Sequence, residues 1–153
     1  MLRTEFAMTY RLEIDGPLAS AQAAEPGGTH QYWLMRHATL EGPGIAAETP
    51  MPGIDWFRPG AGRFGRPHVR LPFRTDDGAA ILLEYSGVVE ASERFNAAVE
   101  ADMATEWGDQ YMRMALFFET DAPRYRWLTE SLFLARGRLR GAKALEYEVH
   151  RLL

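Results

Sequence analysis

Glu5-Phe6-Ala7-Met8-Thr9-Tyr10-Arg11-Leu12-Glu13-Ile14 alternates without a break. Phe6, Met8, Tyr10, Leu12 and Ile14 fall on one side at period two, which predicts a half-buried strand. Asp15-Gly16-Pro17 ends that pattern, and the small, turn-rich Ala19–Gly28 predicts a loop. Tyr32–Leu40 predicts a second strand, with Tyr32, Leu34, Arg36, Ala38 and Leu40 on one face and Trp33, Met35, His37, Thr39 and Glu41 on the other. Periodicity alone leaves open which face points inward.

The same pattern continues outward. Prolines at 43, 50, 52, 59 and 67 keep central ladders out of residues 41–67, because proline has no N–H to donate. Short strand pieces fit only around Gly44–Thr49 and Ile54–Phe57. Val69–Arg74 and Ala79–Ser86 read as strands joined by the tight turn Thr75-Asp76-Asp77-Gly78, whose glycine accepts a positive φ. Residues 91–104 change period: Phe95, Val99 and Met103 recur at helical spacing behind a Ser92 cap, predicting one helix. Strands are again predicted at Tyr111–Glu119, Arg126–Ala135 and Leu139–Leu152, with Leu145, Tyr147 and Val149 alternating in the last. The apolar run Met112–Phe118 stops at the carboxylate of Glu119, and a turn at Asp121-Ala122-Pro123 follows.

Many short strands, tight turns and one helix predict an all-β fold: a single closed antiparallel β-barrel of about eight or more strands, closure being favoured because it removes exposed edges. At 153 residues the chain predicts one domain, 1–153. A formal charge of −4 provides no basic footprint for nucleic acid, and Glu146 and Glu148 follow closely on Arg136, Arg138 and Arg140. With no cysteine, disulfides, thiolate catalysis and cysteine-based metal sites are excluded. No segment reaches the ~20 apolar residues of a membrane-spanning helix, and no N-terminal apolar run suggests a signal peptide, so a soluble cytoplasmic protein is expected.

Three blocks resemble a known family. They are His37-Ala-Thr-Leu-Glu41-Gly-Pro-Gly44 through Gly53-Ile-Asp55-Trp56; Arg74-Thr-Asp-Asp-Gly-Ala79 through Gly87; and Tyr111-Met-Arg113 through Phe118-Glu-Thr, ending at Pro123-Arg-Tyr-Arg-Trp127-Leu128. In order and spacing they resemble the family called domain of unknown function 3237, also uncharacterised protein family 0311, over roughly Phe6–Leu152. The resemblance implies a small all-β barrel with one helix, similar in outline to allene oxide cyclases and dirigent proteins, which bind small organic molecules; it implies no settled reaction. This chain departs from the family pattern at His37-Ala38, at Tyr85 where the family often has Asn, and at Thr129-Glu130 where it prefers Asn-Arg.

Candidate chemistry follows from residue type and placement. Asp55 beside Trp56 suits a general acid or base in a dry setting, or an aspartate that ties down a turn. Arg74 could clamp a ligand carboxylate, whereas Asp76 and Asp77 read as turn residues. Tyr85 and Arg113 would enter the interior if the odd-numbered faces of their strands point inward. Glu119 would then pair with Arg113 as a structural ion pair; alternatively Arg113, with Tyr85 or Tyr125 donating hydrogen bonds, would form an anion or enolate hole. His37 offers a base tuned near neutrality, or a hydrogen-bonded structural histidine. No spacing of metal ligands, no phosphate loop and no nucleophilic serine context is present.

The expected function is therefore a cofactor-independent lyase, isomerase or cyclase acting on an apolar or aromatic carbonyl-bearing small molecule. Asp55, His37, Arg113 and Tyr85 would be its catalytic residues, and Arg74, Trp56, Tyr125, Trp127 and Glu119 would bind substrate. A non-catalytic lipocalin-like binding barrel is the alternative, and a structural subunit with a filled interior is the third reading. A homo-oligomer, dimer or higher, is the expected assembly.

Overall fold

In a computed structural model the chain is described at residues 2–22, 29–60 and 62–153. The strands are β1 (Thr4–Gln22), β2 (Thr29–Gly42), β3 (Ile45–Glu48), β4 (Gly53–Pro59), β5 (Phe64–Arg66), β6 (His68–Thr75), β7 (Ala80–Glu90), β8 (Met112–Glu119), β9 (Phe133–Gly141) and β10 (Ala144–Leu152). Helix α1 (Glu93–Ala101) follows β7, and a 3₁₀ turn (Pro123–Tyr125) leads into the short α2 (Arg126–Thr129). The ten strands form one sheet in the order β1-β10-β9-β8-β7-β5-β4-β2-β3-β6, and further pairings β1–β2, β7–β6 and β4–β6 bring it round into a ring.

This corrects the expectation of a single closed β-barrel with one helix. The ring does not close as a barrel of continuous strands. Between β2 and β6 the ladder is carried by two short pieces: β3 meets β6 at Ala47–Thr75 and Glu48–Arg74, and β4 meets it at Ile54–Arg70 and Asp55–Val69. Proline and glycine in 41–67 keep these pieces short, because each proline removes a ladder donor. The second helix, α2, occupies positions read as strand. Pro123 opens a helical turn there, and β9 starts only at Phe133. The span Leu139–Leu152, read as one strand, turns at Ala142-Lys143 between β9 and β10. Strand β1 continues past Gly16-Pro17 as far as Gln22; the rest of the loop expected over Ala19–Gly28 lies outside the described residues.

Two bulges decide which side chains face inward. Met8, Tyr10 and Leu12 are fully buried as their alternation predicts. Phe6 is exposed, because the register with β10 shifts between Phe6 and Met8 and Ala7 takes the inward place. In β2 the register with β1 shifts between Glu13–His37 and Ile14–Met35. Arg36 is the extra residue, so the buried set passes from Met35 to Ala38 and Leu40, switching from odd to even.

The core is aromatic at its centre. Tyr10 stacks on Tyr147 at 5.5 Å and meets Tyr85 and Phe73 edge-on at 5.7 and 6.2 Å. One end of the ring is packed: Phe118 and Trp127 sit against Phe133, and Leu128 of α2 is fully buried. At that end the hairpin of Asp76-Asp77-Gly78 is clamped. Thr75, Tyr125 and Arg124 all donate to the Asp77 carboxylate, holding it down to about 2. Helix α1 is capped by Ser92, whose hydroxyl accepts from Phe95 N at 3.1 Å.

On the outer face Glu146, 5% exposed, sits between Arg11 and Arg138, each donating to it at 2.8 Å. Burial works against its charged form. The arginine hydrogen bonds outweigh burial, and the carboxyl lies below its ordinary value. Arg136 pairs likewise with Glu148, and Trp107 lies over Arg136 and Arg138. The arginine run is thus internally neutralised. A carboxyl with a depressed folded-state value stabilises above its unfolded value, and that stability is lost as pH falls. Glu146→Gln is expected to cost about 2 kcal/mol in urea unfolding at pH 7. The gap to wild type should narrow as pH drops through the carboxylate range, and a constant gap would refute the ionic contribution.

Candidate functional site

Strand β4 turns Asp55 inward and Trp56 outward. The hydrophobic pattern Ile54, Trp56 would suggest the reverse, since both are about half exposed while Asp55 is 7% exposed. Glycines fit this orientation. A Cβ on Gly53 would lie 2.2 Å from Leu71 Cδ2, and one on Gly65 would lie 2.0 Å from the Phe57 ring, so bare backbone is needed where these side chains press in.

Asp55 pairs across the sheet with Val69, and Val69 pairs with Tyr85. The carboxyl and the phenol therefore sit on one inward row, with β6 between their strands. They line a cavity of about 380 Å³ at the end of the ring opposite the Asp77 hairpin. Leu12, Ile14, Met35, Phe57, Val89, Met112, Leu139 and Leu145 make its walls apolar, and Tyr147 joins Asp55 and Tyr85 as a polar group. Phe95 and Val99 of α1 and the Arg63–Gly65 segment form the mouth, where Arg63 is bound to Glu90 at 2.7 Å.

Asp55 Oδ1 accepts from His68 N at 3.0 Å; Oδ2 accepts no hydrogen bond from the described residues. Desolvation pushes the carboxyl up to about 7, against the pull of that backbone bond and of His68. Burial also raises the Tyr85 and Tyr147 phenols well above their ordinary value, and the Asp55 charge adds to this, so both hydroxyls stay neutral. Tyr10 donates to Tyr85 across 3.4 Å.

The remaining predicted site residues are elsewhere. His37 is exposed and faces Glu48 at 3.5 Å, because the Arg36 bulge turns it out. The odd-numbered face of β8 points outward. Arg113 donates to its neighbour's carbonyl (Met112 O) and lies over the Tyr111 ring, and Glu119 is exposed with no ion pair among the described residues. Arg74 is exposed at the far end of β6, which places it on the order of 20 Å from His68 at 3.3 Å per residue. Tyr125 is the buried clamp of the Asp77 turn, and Trp127 packs on Phe133. Trp56 donates to His30 Nδ1 at 2.5 Å and borders an outer depression of about 660 Å³ with Arg58, Arg66 and His68.

The lyase, isomerase or cyclase reading is thereby corrected. Its proton carriers, Asp55 and His37, and its oxygen holders, Arg74 and Arg113, do not converge; only Asp55 and Tyr85 share a cavity. The lipocalin-like barrel alternative falls with the closed barrel. Sequence reasoning missed Tyr147 and Met112 as lining residues. The alternation of Leu145, Tyr147 and Val149 was the available signal for the first. Among the described residues, no three His, Asp or Glu side chains gather as metal ligands. No described helix is long and apolar enough to cross a membrane.

The fold and cavity define a ring-shaped β-sheet protein with one buried carboxyl at the base of an apolar hollow. The chain belongs to the family described as Protein of unknown function (DUF3237), whose model matches residues 2–152. It is 27% identical over 157 residues to a UPF0311 protein of Rhodopseudomonas palustris, covering 99% of this chain and 97% of the relative. It is 32% identical over 65 residues to a UPF0311 protein of Clostridium acetobutylicum, a match that spans 42% of this chain and 41% of that relative. The crystal structure of a conserved protein of unknown function from Rhodopseudomonas palustris superposes with a TM-score of 0.85 at 24% identity, covering 100% and 98% of the two chains. That likeness establishes a shared fold.

The raised Asp55 value has a definite sign. The folded state holds its proton between the ordinary aspartate value and about 7, so stability falls as pH rises through that window and is level above it. Asp55→Asn keeps an acceptor for His68 N and removes the charge. It is expected to be more stable than wild type at pH 8, by on the order of 3 kcal/mol, and nearly equal to it at pH 4. Urea unfolding at the two pH values measures this, and a variant less stable than wild type at pH 8 would contradict a charged, buried Asp55.

Proposed function

We propose that the cavity binds a small organic molecule with an apolar body and one polar group, the polar group meeting Asp55 with Tyr85 and Tyr147 alongside. The observation that carries this is a hollow of about 380 Å³, within the range of ligand sites, whose apolar walls converge on the Asp55 carboxyl, one oxygen of which accepts no hydrogen bond from the described residues. Walls of this kind bury a ligand's hydrocarbon, and the carboxyl orients it. The absence of cysteine supports a reducing, cytoplasmic setting, and the net charge of −4 argues against a nucleic-acid partner.

A neutral environment-sensitive dye, N-phenyl-1-naphthylamine, tests the reading. Its fluorescence should rise on binding the wild type. Leu145→Trp, which fills the hollow from its wall, should abolish the rise while leaving the melting temperature within a few degrees. An unchanged rise in that variant would place the dye elsewhere and remove the support for this cavity.

We further propose that copies pair through the outer face of β8, β9, β10 and β1. Phe117 and Ala115 adjoin Leu134, Leu134 pairs with His150, and His150 packs edge-on against Phe6, forming an apolar ladder with Phe6, Phe117 and Leu134 about half exposed. Charges of both signs flank it, including Arg136, Glu148, Arg151 and Glu5, as a patch that meets itself across a two-fold axis requires. Sedimentation velocity should show a dimer or higher form that Leu134→Lys converts to monomer; a wild type that is monomeric at tens of micromolar would refute this.

A further inference from the structure

Resting on the ligand-binding reading above, we infer that the cavity selects a cation: a compact apolar or aromatic molecule carrying one protonated amine that docks on the free oxygen of Asp55. The argument is one of missing charge. Asp55 is more than nine-tenths buried, and its only hydrogen bond among the described residues uses Oδ1. Among the described residues, the groups facing it leave Oδ2 without a hydrogen-bonded positive partner, His68 acting on the carboxyl only through its backbone bond and its outward ring. Tyr10 of β1, Tyr85 of β7 and Tyr147 of β10 are neutral phenols; β2 contributes the side chain of Trp33, whose Nε1 is committed to Gln31. From β6 come Val69 and the backbone N–H of His68, while the His68 ring pairs with Glu84 outside, at 3.0 Å. Arg63 at the mouth is committed to Glu90.

A carboxylate enclosed in this way is unfavourable by itself, and two things relieve it: a proton, or a cation brought in by a ligand. Near neutrality the two compete, because burial has moved the carboxyl's titration to about 7. A ligand carboxylate meets repulsion instead, and the guanidinium that the described residues bring to the hollow, Arg63 at its mouth, is already bound to Glu90. A neutral hydroxyl gains one ordinary hydrogen bond, whereas an ammonium gains a charge-assisted one in a poorly solvated place, the stronger of the two. The selectivity therefore has a pH signature. Amine affinity rises as Asp55 loses its proton between pH 5.5 and 8, whereas affinity for a neutral isostere does not rise.

Calorimetric titration of three matched probes tests this: 1-naphthylmethylamine, 1-naphthalenemethanol and 1-naphthoic acid. At pH 8 the amine should bind the wild type about tenfold or more tighter than the alcohol, equivalent to about 1.4 kcal/mol, and the acid should be weakest. The preference should collapse at pH 5.5 and in Asp55→Asn, and the wild-type pH series serves as the test if that variant does not fold. Alcohol or acid binding as tightly as the amine at pH 8 overturns the cation inference and leaves the binding reading in place. Failure of all three probes, together with failure of the naphthylamine dye, overturns both.

Discussion

Four aromatic rings delivered by four strands meet at the middle of the sheet's interior, and the rest of the molecule is arranged around that contact. Tyr10 is at its centre, stacked on Tyr147 and touched edge-on by Tyr85 and Phe73. Such rings bury large apolar areas and prefer these offset and perpendicular geometries, so they hold β1, β6, β7 and β10 at fixed spacing. They also divide the interior. On one side Phe118, Phe133 and Leu128 fill the space; on the other Tyr85 and Tyr147 line an open hollow.

That division places the chemistry. Tyr85 and Tyr147 belong both to this cluster and to the lining of the hollow, and Asp55 joins that lining from the short strand β4. A carboxyl in this position has too little water to be an ordinary aspartate and too few partners to be a structural ion pair. The contrast with Glu146 and Asp77 is informative. Those carboxylates are held below their ordinary values by arginine, hydroxyl and phenol donors, whereas Asp55 is raised by burial. The two behaviours separate side chains that maintain the fold from the one proposed to meet a ligand.

The interrupted stretch 41–67 links fold and site. Its prolines cut the ladder between β2 and β6 into short pieces, and its glycines let Leu71 and Phe57 press against bare backbone. A longer, regular strand in this place would extend the ladder and follow its own hydrophobic pattern, with Trp56 inside. Here the glycine contacts and the pairing with Val69 select the other phase, which brings the carboxylate in.

Alternation along the chain was enough to specify an all-β protein, the strands around Tyr10, Leu71, Leu83 and Val149, the capped helix after Ser92 and the positive-φ turn at Gly78. These depend on local periodicity and backbone preference, which neighbouring residues set among themselves. Asp55 and Tyr85 were also legible as candidates, from residue type and strand placement. The inward phase of β2 and β4, the outward face of β8, the helical turn after Pro123 and the gathering of Asp55, Tyr85 and Tyr147 were decided only by tertiary structure. A one-residue bulge or a cross-strand register reverses every side chain beyond it, and that choice depends on partners far away in the chain.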